Sequence, residues 1–282
     1  MRKFSVFCES SNQMGYTPGQ RHRFHMKRPV TLFKNIDTIN LPKPAKNNSS
    51  DLLVELQEVR DAMIVSDEKR IDNLKIDSEY INMLVDAADR YFMPNTIRDF
   101  LREAKRQIDT ITLRLKYEYN RARPQQIAEL NGEKFTPLTS VDTPAFPSNH
   151  AVSGIVLAEI LKMYYPQVSK ELDEIANRNA DSRVELGVHF PSDVEAGRLL
   201  AKELMERFDK SQLPEKNLIE ETLKFRQFKD VQKDAKQLAK DMRKNIFIMQ
   251  HTRTGEYEYA TNRDEIRKLT RKGFEIIEEI NK

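Results

Sequence analysis

The stretch TPAFPSNHAVSGIVLAEILKMYYP, residues 143–166, decides how the chain is read. It opens as a Pro-rich loop and turns apolar at Val152, Ile155, Val156, Ile160 and Met163, a helical spacing, so the sequence predicts a helix starting near Ser148. Ser148 is a candidate N-cap. The free N–H groups of the first turn, and the positive end of the helix dipole, then lie beside His150, which suits an anion such as phosphate. Ser148 serves equally as cap or phosphate contact, because both roles use the same oxygen.

Two further stretches supply what such a seat lacks. Lys116 brings a point-like cation, and Arg123, followed by Pro124, brings a planar fork; Arg183, after Ser182, brings a second fork. His189 and Asp193 stand four apart across Phe190-Pro191-Ser192, a loop-to-helix junction in which Pro191 fits the first helical turn. Asp193 can accept a hydrogen bond from one nitrogen of His189 and leave the other free to attack. His150 is then available to protonate a leaving oxygen. Nucleophile, orienter, acid and cationic cradle together make a phosphoryl-transfer set.

The ordered patterns K-x6-R-P (Lys116, Arg123, Pro124), P-S-x-H (Pro147, Ser148, His150) and S-R-x5-H-x3-D (Ser182, Arg183, His189, Asp193) resemble the three signatures of the type 2 phosphatidic acid phosphatase superfamily. That superfamily also holds bacterial class A acid phosphatases and vanadium-dependent haloperoxidases. Three signatures in register are far more specific than one short motif. The resemblance spans about the middle third of the chain. It implies His189 as the nucleophile of a phosphohistidine, Asp193 as its orienter and His150 as the general acid. It further implies phosphate binding by Lys116, Arg123, Ser148, Asn149 and Arg183. Asn149 stands where the family usually has Gly. Asn tolerates left-handed backbone angles, so the turn is expected to survive, with a side chain that narrows the pocket.

The totals bound the rest. A chain of 282 residues suits one large domain or one with an appendage, and 39% hydrophobic against 32% charged residues predicts helices with heavily charged outer faces. A formal net charge of +3 does not point to nucleic acid. A single cysteine, Cys8, allows no internal disulfide and fits a reducing compartment. No secretory leader or spanning segment is read, so the expected location is cytoplasmic.

Along the chain, residues 1–48 read as an irregular arm, 49–212 as a helical core and 213–282 as a charged helical extension. The arm carries the basic run Arg21-His22-Arg23-Phe24-His25-Met26-Lys27-Arg28, read as a solvated or substrate-facing loop; His22 and His25 lack the second pair a metal site would need. Residues 125–147 read as a loop able to wall the site. Arg121 is out of pattern and is kept as a secondary binding candidate, and Glu185 as an ion-pair partner. Near the end, 245–249 and 257–259 read as a hairpin with His251 solvated in its turn, followed by a helix over 262–281.

The fold expected is therefore all-α, a helical bundle of the acid phosphatase and haloperoxidase type, with a C-terminal hairpin and helix. The function expected is a metal-independent hydrolase acting on a phosphomonoester or diphosphate, with a small phosphorylated substrate and no cofactor. Vanadate is expected to inhibit. Two alternatives stand beside it: a haloperoxidase-like enzyme using vanadate as cofactor, and a structural protein that keeps the fold and associates, with itself or an assembly partner, through 213–282.

Overall fold

Ile97, Leu101, Ala104, Ile108 and Ile111 recur every three or four residues, and all are buried along one face of a 25-residue helix, Asn95–Tyr119. In this computed structural model, residues 16–47, 49–91, 93–215, 228–237, 239–240, 245–252 and 256–281 are described. Cys8, the apolar positions between 216 and 227, Leu238 and the turn residues 253–255 lie outside them. The chain divides after Pro214 into two compact units.

The first unit orders its helices as α1 (Gln20–Met26), α2 (Ser50–Ala62), α3 (Asp67–Asp89), α4 (Asn95–Tyr119), α5 (Pro124–Leu130), α6 (Asn149–Tyr164), α7 (Ser169–Glu185) and α8 (Pro191–Arg207). α6 is its axis. Val152, Val156, Leu157, Ile160 and Leu161 are all buried, so the helix is apolar around its whole circumference, and it packs against α3, α4, α7 and α8. Each such fully buried side chain contributes about 1.5–3 kcal/mol relative to exposure. No helix of the described residues is long and apolar enough to cross a membrane.

The crossing of α6 and α8 depends on Gly197. A Cβ there would meet Ser148 O at 2.7 Å and the Ala151 Cβ at 2.8 Å. Ser148 O is backbone at the start of α6 and cannot yield without moving the whole helix entrance. Gly197→Ala gains about 1 kcal/mol of helix propensity but meets overpacking of about 1–3 kcal/mol. Net destabilisation and weaker phosphate binding are expected, read from a denaturation midpoint and a phosphate titration; a stabilised variant with unaltered binding would contradict the close approach.

A second apolar cluster joins Leu52, Leu56 and Val59 of α2 to Ala122, Ile127, Ala128 and Phe190. It pins the chain on either side of Arg123 and His189. α5 corrects the expectation of a continuous loop over 125–147: Pro124 occupies the first helical turn, where its missing N–H costs nothing, and Ile127 and Ala128 are buried. The described part of the arm is also built in. Gln107, itself buried, accepts from the N–H groups of Thr31 (2.7 Å) and Leu32 (2.8 Å), and Phe33 bridges to Phe208.

The second unit holds a three-stranded antiparallel sheet in the order β2-β1-β3, with β1 Ile246–His251, β2 Tyr257–Ala260 and β3 Phe274–Ile280. Ile246 and Ile248 pack with Ala235 and Ala239 of the helical residues 228–237 and 239–240, whereas Met249 and Phe274 pack with Ile266 and Leu269 of α9 (Arg263–Arg271). The expected terminal helix over 262–281 is thus met only as far as Arg271, and its second half is a strand. Gly273 adopts φ +94, which ends α9, and the following residues pair with β1 and bury Phe274 and Ile280. His251 is not in a solvated turn: it ends β1, half-buried, with its ring edge-on to Phe274 at 4.9 Å.

Candidate active site

Four elements of the first unit deliver the cradle. Lys116 lies in the last turn of α4, Arg123 stands immediately before α5, Arg183 lies in the last turn of α7, and the entrance of α6 carries Ser148, Asn149 and His150. Lys116, Arg123, Asn149, His150, Arg183 and His189 line one cavity of about 340 Å³. Ser148 and Asp193 are fully buried and lie outside its lining. The Ser148 Oγ makes no capping bond; it and the Arg183 Nε are buried without a hydrogen-bond partner. Capping, one of the two roles weighed for Ser148, is therefore set aside. Orphaned donors of this kind suit an oxyanion.

Two of the cations, Lys116 and Arg123, are held by neutral groups. The Lys116 ammonium donates to the carbonyls of Pro144 (2.7 Å) and Ala145 (3.1 Å), and the Arg123 guanidinium to Thr143 O (2.9 Å) and Val188 O. Burial, followed by the charge of Arg123, lowers the Lys116 pKa well below its ordinary range, and burial brings Arg123 down to about 10. A bound anion would relieve both.

His189 is held in one tautomer. Arg123 Nη1 lies 2.9 Å from Nε2, and because a guanidinium can only donate, Nε2 must present its lone pair. The proton of the neutral ring is then on Nδ1, which faces Asp193 Oδ2 at 3.4 Å. Burial, then Arg123, Lys116 and Arg183, push the His189 pKa well below its usual range, so the ring stays neutral. Asp193, in the first turn of α8, accepts from the Phe190 N–H at 2.8 Å, so it both caps the helix and orients the ring.

His150 is held differently. Its Nε2 lies 3.2 Å from Asp77 Oδ1, its ring leans on Tyr80 at 5.4 Å, and the same Asp77 oxygen accepts from Arg183 Nη1. Burial and then the Arg183 charge hold His150 down to about 4, against the upward pull of Asp77. Burial would raise Asp77, but the bond from His150 and the charge of Arg183 outweigh it and keep the carboxyl below its ordinary value.

Residues 108–202 match the PAP2 superfamily profile. The match covers 95 of the 282 residues. Among solved structures, the chain is similar to a transmembrane PAP2-type phosphatidylglycerolphosphate phosphatase from Bacillus subtilis, at 22% identity and TM-score 0.42, over 56% of this chain and 85% of that one. It is also similar to a bacterial vanadium-dependent iodoperoxidase, at 16% identity and TM-score 0.49, over 74% of this chain and 63% of that one. No curated protein sequence matches. The first unit is a helical bundle, and the second holds a small three-stranded antiparallel sheet.

The PAP2 segment does not contain all that surrounds its site. Asp77 on α3 carries no motif and was missed by sequence reasoning. Arg121, kept as a binding candidate, is a structural clamp instead. It is 1% exposed, donates to Asp193 Oδ1 (2.7 Å), Ser192 Oγ (2.7 Å) and Glu55 Oε1 (2.9 Å), and stacks over Phe190 at 4.5 Å. Glu55 was likewise unread. Asn149 adopts no left-handed angle: it is the first residue of α6, and its Nδ2 donates to Asp109 Oδ1 at 2.8 Å. Glu185 pairs with Lys69 and accepts from Asn73 at 2.6 Å. Among the described residues no group of three or more His, Cys, Asp or Glu side chains is placed to hold a metal.

Proposed function

We propose that the chain is a phosphoric ester hydrolase that works through a phosphohistidine on His189. One observation carries this reading: the imidazoles of His150 and His189, the orphaned guanidinium edge of Arg183 and the cations Lys116 and Arg123 converge on a single small cavity. The phosphate displaces the guanidinium of Arg123 from Nε2, and that lone pair attacks phosphorus as the bond to the leaving oxygen breaks. His150 donates its proton to the departing alkoxide. In the second half, His150 takes a proton from water, the water oxygen attacks phosphorus, the P–N bond breaks and inorganic phosphate leaves. Lys116, Arg123 and Arg183 offset the charge on the equatorial oxygens throughout. A hydrolysis screen over soluble phosphate monoesters and diphosphates tests the reading; no turnover of any of them would refute it.

Asp77 enters as a positioning residue. In the free site its carboxylate engages the two groups that a phosphate must recruit, His150 and Arg183. His150 carries its proton below its pKa and loses it above, so the limb of kcat/KM that falls with rising pH tracks His150, and its value of about 4 sets an acidic optimum. Asp77→Asn removes the group that raises His150, which moves this limb to lower pH. It also removes the rival for Arg183, so vanadate, a tetrahedral oxyanion like phosphate, should inhibit about tenfold more tightly. A pH–rate profile and a vanadate titration read both. Weaker vanadate inhibition, as a merely loosened fold would give, counts against this role.

A further inference from the structure

The basic run of the arm forms α1, which lies on α4. Arg114 Nε donates to Met26 O (2.7 Å) and its Nη2 to Arg28 O (2.9 Å), while the His22 ring meets Tyr117 OH at 2.6 Å. This docking brings Arg21, His22 and His25 into the lining of the same cavity that holds His150 and His189. The inner part of that cavity already has Lys116, Arg123 and Arg183 for one phosphate. At its mouth Lys105 is paired with Asp109 at 2.5 Å, but the side chains of Arg21 and His25 have neither a hydrogen bond nor an ion pair among the described residues. Burial, and then the charges of Arg28 and Arg21, lower the His25 pKa, so these groups repel one another. A simple monoester reaches only the inner cations; at the mouth Asp109 is taken up by Lys105 and Asp142 lies 3.9 Å from His22 Nε2, so Arg21 and His25 are left without a carboxylate of their own.

We propose that Arg21 and His25 form a second anion subsite, so that the preferred substrate is a small phosphate ester bearing a second phosphate beyond the one that is cleaved. The assignment rests on the hydrolase reading for the inner seat, and the cavity volume of about 340 Å³ limits the substrate to a short spacer between the two groups. Arg21 is exposed and His25 half-buried, so both can be replaced without opening the core. The probes are alkanediol monophosphates and the matching bisphosphates, with spacers of three to six carbons, at low ionic strength to limit screening.

Calorimetric binding and phosphate release are measured for each pair on the full chain. The best bisphosphate should bind about tenfold more tightly than its monophosphate, the scale of one charge-assisted contact. Arg21→Ala combined with His25→Ala should bring that ratio close to one. A ratio near one in the unaltered chain, or an undiminished ratio in the double variant, overturns the subsite. The preference seen in binding without any hydrolysis upholds the subsite and removes the hydrolase reading. Hydrolysis of monophosphates without a bisphosphate preference does the reverse.

Discussion

His189→Ala is expected to reduce phosphate-ester hydrolysis by about a million-fold, the scale on which removal of a covalent nucleophile acts. The geometry gives no substitute. His150 is engaged at Nε2 by Asp77, His22 is engaged at Nδ1 by Tyr117 OH, His25 stands on the docked arm at the mouth, and Lys116, Arg123 and Arg183 are cations that cannot attack phosphorus. The loss should fall on kcat while phosphate is still bound, because Lys116, Arg123 and Arg183 are untouched and Arg123 no longer spends a donor on Nε2. Rapid-quench experiments on the unaltered chain should trap an acid-labile, base-stable phosphoryl adduct that the variant lacks. Turnover by the variant at the rate of the parent would dispose of the phosphohistidine.

Arg121→Met should have the largest effect on stability. The guanidinium is buried with two carboxylates, Asp193 and Glu55, and it stacks on Phe190. Asp193 has no exposed surface, and burial raises its pKa even with Arg121 in place. Without Arg121 that charge must be neutralised or left unpaired, and truncating one partner of a buried pair costs about 3–5 kcal/mol. Arg121→Lys should recover little, since one ammonium cannot span Asp193, Ser192 and Glu55 as the planar fork does. Chemical denaturation followed by circular dichroism reads the loss. A change smaller than about 1 kcal/mol, within the range of exposed ion pairs, would show that the clamp carries no such weight. Hydrolysis should decline as well, because Asp193 orients His189.

What was legible in the sequence was local. Helix α6 announced itself by its apolar run, and Lys116, Arg123, His150, Arg183 and His189 by spacings that survive folding because each lies within one helix end or one tight junction. Asp193 was readable for the same reason, four residues from its partner across the start of α8. The tail was misread where the apolar pattern over 266–280 fitted a helix and the weight of Gly273 was passed over; only pairing with β1 chose a strand there.

The groups that set the electrostatics were not local. Asp77 meets Arg183 across 106 residues, Glu55 meets Arg121 across 66, and Arg21 and His25 reach the cavity only because α1 lies on α4. A lone Asp or Glu on a polar helix carries no mark of its eventual partner, since its charge suits solvent as well as a buried pair. The sequence by itself determined the helical class, the three signatures and the order of the candidate site residues. The tertiary structure alone decided which carboxylates hold them, because packing of α2 and α3 against the rest brings those charges out of water and leaves each one only its neighbour to answer it.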